Sequence, residues 1–148
     1  MLRTGLRVSD VLELKAAQLG RQFWITEQKT GKRKHVGLPD WLVDEIRRAA
    51  GDSVWAFPSP IDSKKHRTRQ AVWKDLKRVS KALRIPVNVG THSMRKAYAV
   101  DLMQKYGDLE RVRRDLNHSS AMVTVLYAMA DTLTVSASRR KPTYKRRR

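Results

Sequence analysis

The sequence predicts a mainly α-helical domain with one small antiparallel β-hairpin sheet, an α+β arrangement. Apolar residues recur at helical spacing in several segments, and short polar or glycine-containing breaks separate those segments. One stretch, residues 21–39, instead has the strand–turn–strand pattern of a hairpin, with Gly31 at its predicted tip. The chain has 148 residues, a length that is typical of one domain and sufficient to bury a hydrophobic core.

The predicted elements follow in order along the chain. A helix begins near Gly5 or Leu6 and is followed by the hairpin, whose basic turn is residues 29–34. Asp40 is the predicted N-cap of the next helix. Further helices are predicted at 40–50, 64–84, within 89–107, at 108–116 and at 119–130.

The charge of the chain points to an anionic partner. There are 32 Lys and Arg against 14 Asp and Glu, a formal net charge of +18, and a polyanion usually neutralises such a surplus. Nucleic acid is the first expectation, and an anionic membrane surface is a weaker second. The chain has no run of eighteen apolar residues and no signal-peptide pattern, so a cytoplasmic, nucleoid-associated protein is expected. The absence of cysteine excludes disulfides and thiolate chemistry.

The predicted helix 64–84 carries the densest positive charge, with nine Lys or Arg against one Asp. Val72, Leu76, Val79 and Leu83 form its predicted apolar seam. The basic face suits the DNA backbone, and a plain solvated face is the alternative. The residues expected to contact DNA are Lys64, Lys65, Arg67, Arg69, Lys74, Lys77, Arg78 and Lys96.

A second set of residues suggests chemistry. The helix within 89–107 has an apolar stripe formed by Ala99, Leu102, Met103 and Tyr106. Towards the start of the helix, the same stripe continues with Arg95 and His92. A helix that only packed into a core would have apolar residues at these two positions. Other cationic or acid–base residues also lie where helices are predicted to begin and in the hairpin turn. The full set is Arg7, Lys29, His92, Arg95, His118 and Tyr127. Taken singly, each has an ordinary explanation as a surface charge, a turn residue, a helix cap or a packed tyrosine.

As a set, these residues fit attack on a phosphodiester. Arginine forks grip phosphate oxygens bidentately and keep their charge. A tyrosine hydroxyl, with a free pKa of about 10, needs a base or a cationic pocket to act as a nucleophile. A lysine with a shifted pKa can protonate a leaving alkoxide.

Four segments of the chain, in order, resemble the tyrosine recombinases of the phage-integrase family. "TGLRVSDVLEL" is similar to their first arginine box, and "EQKTGKRKHVGLP" is similar to their β-hairpin with its catalytic lysine. "HSMR" fits their His-x-x-Arg box, and "LNHSSAMVTVLY" resembles their ending in tyrosine. The resemblance runs from about Thr4 to Asp131 and implies a catalytic-domain fold of that family.

The resemblance implies a role for each residue of the set. Tyr127 would attack the scissile phosphate and form a 3′-phosphotyrosyl link to DNA. Arg7 and Arg95 would hold the non-bridging oxygens through the transition state. Lys29 would protonate the departing 5′-hydroxyl, and His92 would serve as acid–base for the tyrosine.

His118 would hydrogen-bond the phosphate. The resemblance also implies that no metal or nucleotide cofactor is needed, and that the partners are double-stranded DNA and further copies of the chain in a tetramer on DNA. Residues 1–138 would form the catalytic domain, without the family's preceding helices and DNA-clamping domain, and residues 139–148 a basic tail.

Two positions depart from the family pattern. Asn117 replaces the usual glycine before the last histidine, and Lys96 stands where a second histidine is common. Two other functions stay open: strand cleavage without exchange, as in type IB topoisomerases, and DNA binding by a non-catalytic fragment.

Overall fold

The computed structural model describes residues 1–62 and 64–117. These ranges contain five α-helices and one two-stranded sheet. The helices are α1 (Val8–Leu12), α2 (Asp40–Ala50), α3 (Arg69–Ala82), α4 (Thr91–Tyr106) and α5 (Leu109–Asp115), and the strands are β1 (Gln22–Thr26) and β2 (Arg33–Gly37). The predicted helix 119–130, the candidates His118 and Tyr127, and the tail 139–148 lie outside the described residues.

The predicted hairpin is confirmed. Strands β1 and β2 pair antiparallel, with Phe23 opposite Val36 and Ile25 opposite Lys34. Burial alternates along both strands, because successive side chains of a strand point to opposite faces. Gly31 has a φ of +65° in the turn, a backbone conformation that glycine adopts without steric cost.

Two apolar clusters hold the domain together. The larger lies between the buried face of the hairpin, the segment around α1 and helix α2; its buried members are Leu6, Leu14, Leu19, Phe23, Ile25, Val36, Leu38, Val43 and Ala56. The smaller joins α4 to α5 through Ala99, Val112 and Leu116. In residues 1–62 and 64–117, no helix is long and apolar enough to cross a membrane.

The first helix begins later than predicted, at Val8 rather than near Gly5 or Leu6. The backbone explains the difference, because Gly5 has a φ of +63° and its N–H donates to the carbonyl of Met1 at 2.8 Å. A Cβ at Gly5 would lie 2.4 Å from the Tyr98 ring and 2.8 Å from Leu116. Glycine is therefore required both by its dihedral angle and by close packing.

The basic helix also begins later than predicted, at Arg69, with Thr68 as its N-cap accepting a hydrogen bond from the N–H of Ala71. Its predicted apolar seam is only partly confirmed. Val79 is 51% exposed and Leu83 is 67% exposed, and no residue of α3 is buried.

Two further expectations differ in detail. Pro39, not Asp40, is the N-cap of α2, and Asp40 is its first residue. Along α4, the predicted stripe is buried at Ala99, whereas Tyr106, at its last turn, is exposed. The Tyr106 ring instead lies 3.6 Å from the Arg111 guanidinium, a cation–π contact at the surface.

Candidate active site

Arg7 is held by a buried carboxylate. It precedes the first turn of α1, and its Nη1 donates to Glu27 Oε2 at 2.6 Å. Glu27 is fully buried and also accepts a hydrogen bond from the Thr30 hydroxyl at 2.8 Å. Burial acts to raise the pKa of Glu27, but the hydrogen bonds from Arg7 and Thr30 and the charge of Arg7 outweigh it, and the pKa lies below its usual range.

Lys29 lies exposed in the turn that Glu27 closes. The backbone N–H of Glu27 donates to the carbonyl of Lys32 at 2.9 Å, and its carbonyl accepts from the N–H of Gly31 at 2.8 Å. The turn that carries Lys29 is thus fixed at its base by the residue that binds Arg7. The Lys29 side chain is exposed to solvent on a short loop whose backbone is held by hydrogen bonds.

Arg95 connects two distant segments to α4. Although it is charged, it is only 5% exposed. Its Nη1 donates to the carbonyl of Gly5, and its Nη2 donates to the carbonyl of Leu116. One guanidinium thereby ties the segment before Arg7 to the segment before His118.

His92, one turn before Arg95, is exposed. The two residues were expected to share one face because of their i, i+3 spacing. In the structure the Arg95 side chain is enclosed, whereas His92 is open to solvent. Their predicted roles on one phosphate are not decided by this geometry and stay predictions.

Lys34 is a buried cation. The sequence analysis placed it in the basic turn 29–34, and that boundary is wrong. Lys34 lies in β2, is 8% exposed, and donates to the carbonyl of Thr4 at 2.9 Å. It also donates to the carbonyl of Asp115 and lies 3.4 Å from Asp115 Oδ2. Burial lowers the pKa of Lys34, with the Asp115 carboxylate acting in the opposite direction.

The site also contains carboxylates that the sequence analysis did not identify. Asp10 is 5% exposed, and its Oδ1 accepts a hydrogen bond from the N–H of Gln28 at 3.1 Å. Burial raises its pKa, and the neighbouring charge of Glu27 adds to the effect. Asp10 Oδ2 and Glu27 Oε1 find no hydrogen-bond partner in the described part of the chain. Arg7 therefore lies close to two buried carboxylates, those of Glu27 and Asp10.

Comparison with known proteins identifies the family. The sequence pattern of the phage integrase family matches residues 1–133. The chain belongs to the phage integrase family. This integrase-family chain is 30% identical to the probable integrase/recombinase YoeC of Bacillus subtilis, over 93% of this chain and 77% of YoeC.

Two further relatives give the extent of the similarity. The chain is 29% identical to the tyrosine recombinase XerD of Pseudomonas aeruginosa, over 83% of this chain and 45% of XerD. The fold resembles that of the XerH site-specific recombinase in a crystal structure bound to its difH substrate. The TM-score there is 0.69 with 22% identity, over 85% of this chain and 40% of XerH. The chain thus spans less than half the length of these two recombinases.

The backbone at Asn117 explains its departure from the integrase-family pattern. Asn117 has a φ of +51° and directly follows Leu116, the C-cap of α5. This left-handed conformation favours glycine, and asparagine tolerates it better than most residues. The position retains its conformational requirement although the residue type differs.

The predicted DNA-contacting residues of this integrase-family chain differ in exposure. Arg67 and Arg78 both pair with Asp75, the one acidic residue of the segment. Lys77 donates to Asn88 and, like Arg67, is half-buried. The exposed members are Lys64, Lys65, Arg69, Lys74, Arg78 and Lys96.

Proposed function

We propose that this chain is the catalytic region of a site-specific DNA recombinase or integrase. The observation that supports it best is the pair of hydrogen bonds from Arg95 to Gly5 and Leu116. Together with the Arg7–Glu27 contact, these bonds connect the segments that carry Arg7, Lys29 and Arg95. They also connect them to Leu116, two residues before His118 in the sequence. Residues from four separate motifs are thus linked to one buried network.

The proposed reaction conserves the phosphodiester bond. The Tyr127 hydroxyl attacks phosphorus and passes its proton to His92, while Arg7 and Arg95 stabilise the charge that develops on the non-bridging oxygens. The bond from phosphorus to O5′ breaks, and O5′ receives a proton from Lys29. The product is a 3′-phosphotyrosine and a free 5′-hydroxyl. The 5′-hydroxyl of a second strand then attacks the phosphotyrosine, and the same proton transfers run in reverse.

The proposal extends to partners and organisation. Residues 1–138 form the catalytic domain, and the basic tail 139–148 contacts DNA or a neighbouring copy. Double-stranded DNA is the substrate, four copies act together on it, and the protein is associated with the nucleoid. The protein's own side chains supply the chemistry, without metal or nucleotide cofactor.

The relatives favour recombination over the two alternatives. YoeC, XerD and XerH are named as integrases or recombinases, whereas cleavage without exchange would be the activity of a topoisomerase. A strand-transfer assay separates these functions, because only a recombinase joins the cut strand to a second duplex. A non-catalytic fragment would bind DNA and form no covalent link.

Covalent trapping tests the proposed function. The protein is mixed with a library of labelled, nicked duplexes and denatured, and label that stays with the protein is measured. We expect a denaturation-resistant adduct, and digestion followed by mass spectrometry should locate the nucleotide on Tyr127. Salt-sensitive DNA binding without any adduct would contradict the enzymatic function of this chain.

The predicted DNA face has its own test. Replacing the exposed Arg69 and Lys74 together by glutamine should lower the slope of log affinity against log salt concentration by about 1.8, because each lost phosphate contact contributes about 0.9. Fluorescence anisotropy over a salt series measures the slope. Arg21→Gln with Arg48→Gln removes the same charge from exposed positions outside the face and should leave the slope unchanged. Equal slopes for both double variants would contradict the assignment of this face.

A further inference from the structure

Glu27 occupies a position where an apolar residue would be expected. It follows directly after β1 and continues the alternation that buries Phe23 and Ile25. A carboxylate on such a face loses hydration, which is costly unless partners compensate. Its Oε2 accepts hydrogen bonds from Arg7, a candidate site residue, at 2.6 Å and from Thr30, the neighbour of Lys29, at 2.8 Å.

We propose that Glu27 is a positioning residue that fixes Arg7 and the turn bearing Lys29 relative to each other for strand cleavage. This inference rests on the proposed function. Glu27 itself does not contact the reacting atoms; it acts through two groups that do. It therefore deepens the proposal by assigning a role to a residue for which the family resemblance implied none.

The contacts on the arginine side fix an orientation. A guanidinium presents five N–H donors in a rigid fork, and the hydrogen bond from Nη1 to Glu27 selects one orientation of that fork about a long, flexible side chain. Phosphate recognition requires such an orientation before the substrate arrives. Without Glu27, Arg7 would keep its charge and lose this constraint.

The contacts on the lysine side fix the turn. Glu27 holds residues 30, 31 and 32 through one side-chain and two backbone hydrogen bonds. Lys29 lies within this closed loop, and its ammonium is carried by a backbone that can shift little. Only the side-chain bond to Thr30 would be affected by substitution of the carboxylate, since the backbone bonds do not depend on the side chain.

Because Glu27 is negatively charged, its replacement by glutamine is expected to have opposite effects on DNA affinity and on the rate of strand cleavage. The carboxylate offsets part of the positive field that attracts DNA, so Glu27→Gln should bind DNA as tightly as the wild type or more tightly. The same variant should cleave about 10- to 100-fold more slowly, because misplacement of catalytic groups by about 1 Å can cost about two orders of magnitude. A loss of folded structure alone would weaken both.

The experiment measures cleavage of the DNA site recovered by covalent trapping, in two chemical forms. One is the natural nicked duplex, and the other carries sulfur in place of the 5′ oxygen at the scissile phosphate. A thiol has a pKa near 8.5, so the sulfur leaves without a proton from Lys29. The variants are Glu27→Gln, Thr30→Val and, as a control at an exposed carboxylate of α2, Glu45→Gln.

We expect Thr30→Val to cleave the natural duplex slowly and the sulfur duplex at the wild-type rate, because only the lysine turn is disturbed. Glu27→Gln should be slow on both duplexes, with a smaller defect on sulfur, because Arg7 is disturbed as well. Glu45→Gln should match the wild type. Urea unfolding of all variants checks that each is folded at the assay temperature.

Two results would overturn the inference while leaving the proposed function intact. One is cleavage by Glu27→Gln at the wild-type rate on both duplexes. The other is a loss of cleavage rate in Glu27→Gln that is matched by an equal loss of DNA affinity and by partial unfolding of the variant. If the wild-type protein forms no adduct, the proposed function and this inference both fail.

Discussion

A Tyr127→Phe variant is expected to form no covalent adduct with any DNA substrate while binding DNA within about twofold of the wild type. The substitution removes one hydroxyl and no charge, so the electrostatic attraction that dominates DNA affinity is preserved. The adduct is lost entirely because phenylalanine has no oxygen to bond to phosphorus. Trapping yield and fluorescence anisotropy, measured on the same duplex, separate the two effects.

The two tyrosines of α4, Tyr98 and Tyr106, provide matched controls. The hydroxyl of Tyr98 donates to Asp115 Oδ2 at 2.7 Å, and burial, together with that carboxylate, raises its pKa well above the ordinary value. It is therefore a poor nucleophile. Tyr98→Phe and Tyr106→Phe should both retain the adduct, whereas an adduct that persists in Tyr127→Phe and disappears in either control would place the nucleophile elsewhere.

The hairpin could be predicted because its signals are local. Alternation of apolar and polar residues fixes the two faces within a few positions, and Gly31 marks the turn. Both features act between residues that are close in sequence. The structure confirms the strands to within two residues at their ends, which is the usual uncertainty in strand boundaries.

Glu27 and Lys34 were missed because their partners are distant in sequence. Alternation already placed Glu27 on the face of Phe23 and Ile25, but a buried carboxylate there is acceptable only with Arg7, twenty residues away. Lys34 is 81 residues from Asp115. Residues 29–34 contain four basic residues among six, namely Lys29, Lys32, Arg33 and Lys34, and such a composition alone favours solvent exposure.

The basic helix shows a different limit of sequence reasoning. The spacing of Val72, Leu76 and Val79 places them along one side of α3, and Leu83 follows as its C-cap. Periodicity identifies which residues share a face, but it does not determine what packs against that face. Val79 and Leu83 therefore remain exposed in the described part of the chain, although the amphipathic pattern that predicted the helix is real.

Arg95→Ala should lower the free energy of unfolding by about 3–5 kcal/mol. The side chain is 5% exposed and donates to two backbone carbonyls, those of Gly5 and Leu116. Its removal leaves both acceptors without this partner, at a cost of about 1–3 kcal/mol each, and opens a cavity between α4 and the segments it connects. Urea unfolding, analysed for midpoint and slope, measures the loss.

Arg95→Lys separates the hydrogen bonds from the charge. Lysine keeps the positive charge, but its single ammonium lacks the planar fork that spans two carbonyls, so we expect about half the destabilisation of the alanine variant. Lys105→Ala, an exposed cation on the same helix, should change the free energy of unfolding by less than about 1 kcal/mol. If Arg95→Ala and Lys105→Ala unfolded at the same urea concentration, Arg95 would not connect the segments before Arg7 and His118. Its burial would then serve the reaction alone, and the alanine variant would remain folded while losing cleavage.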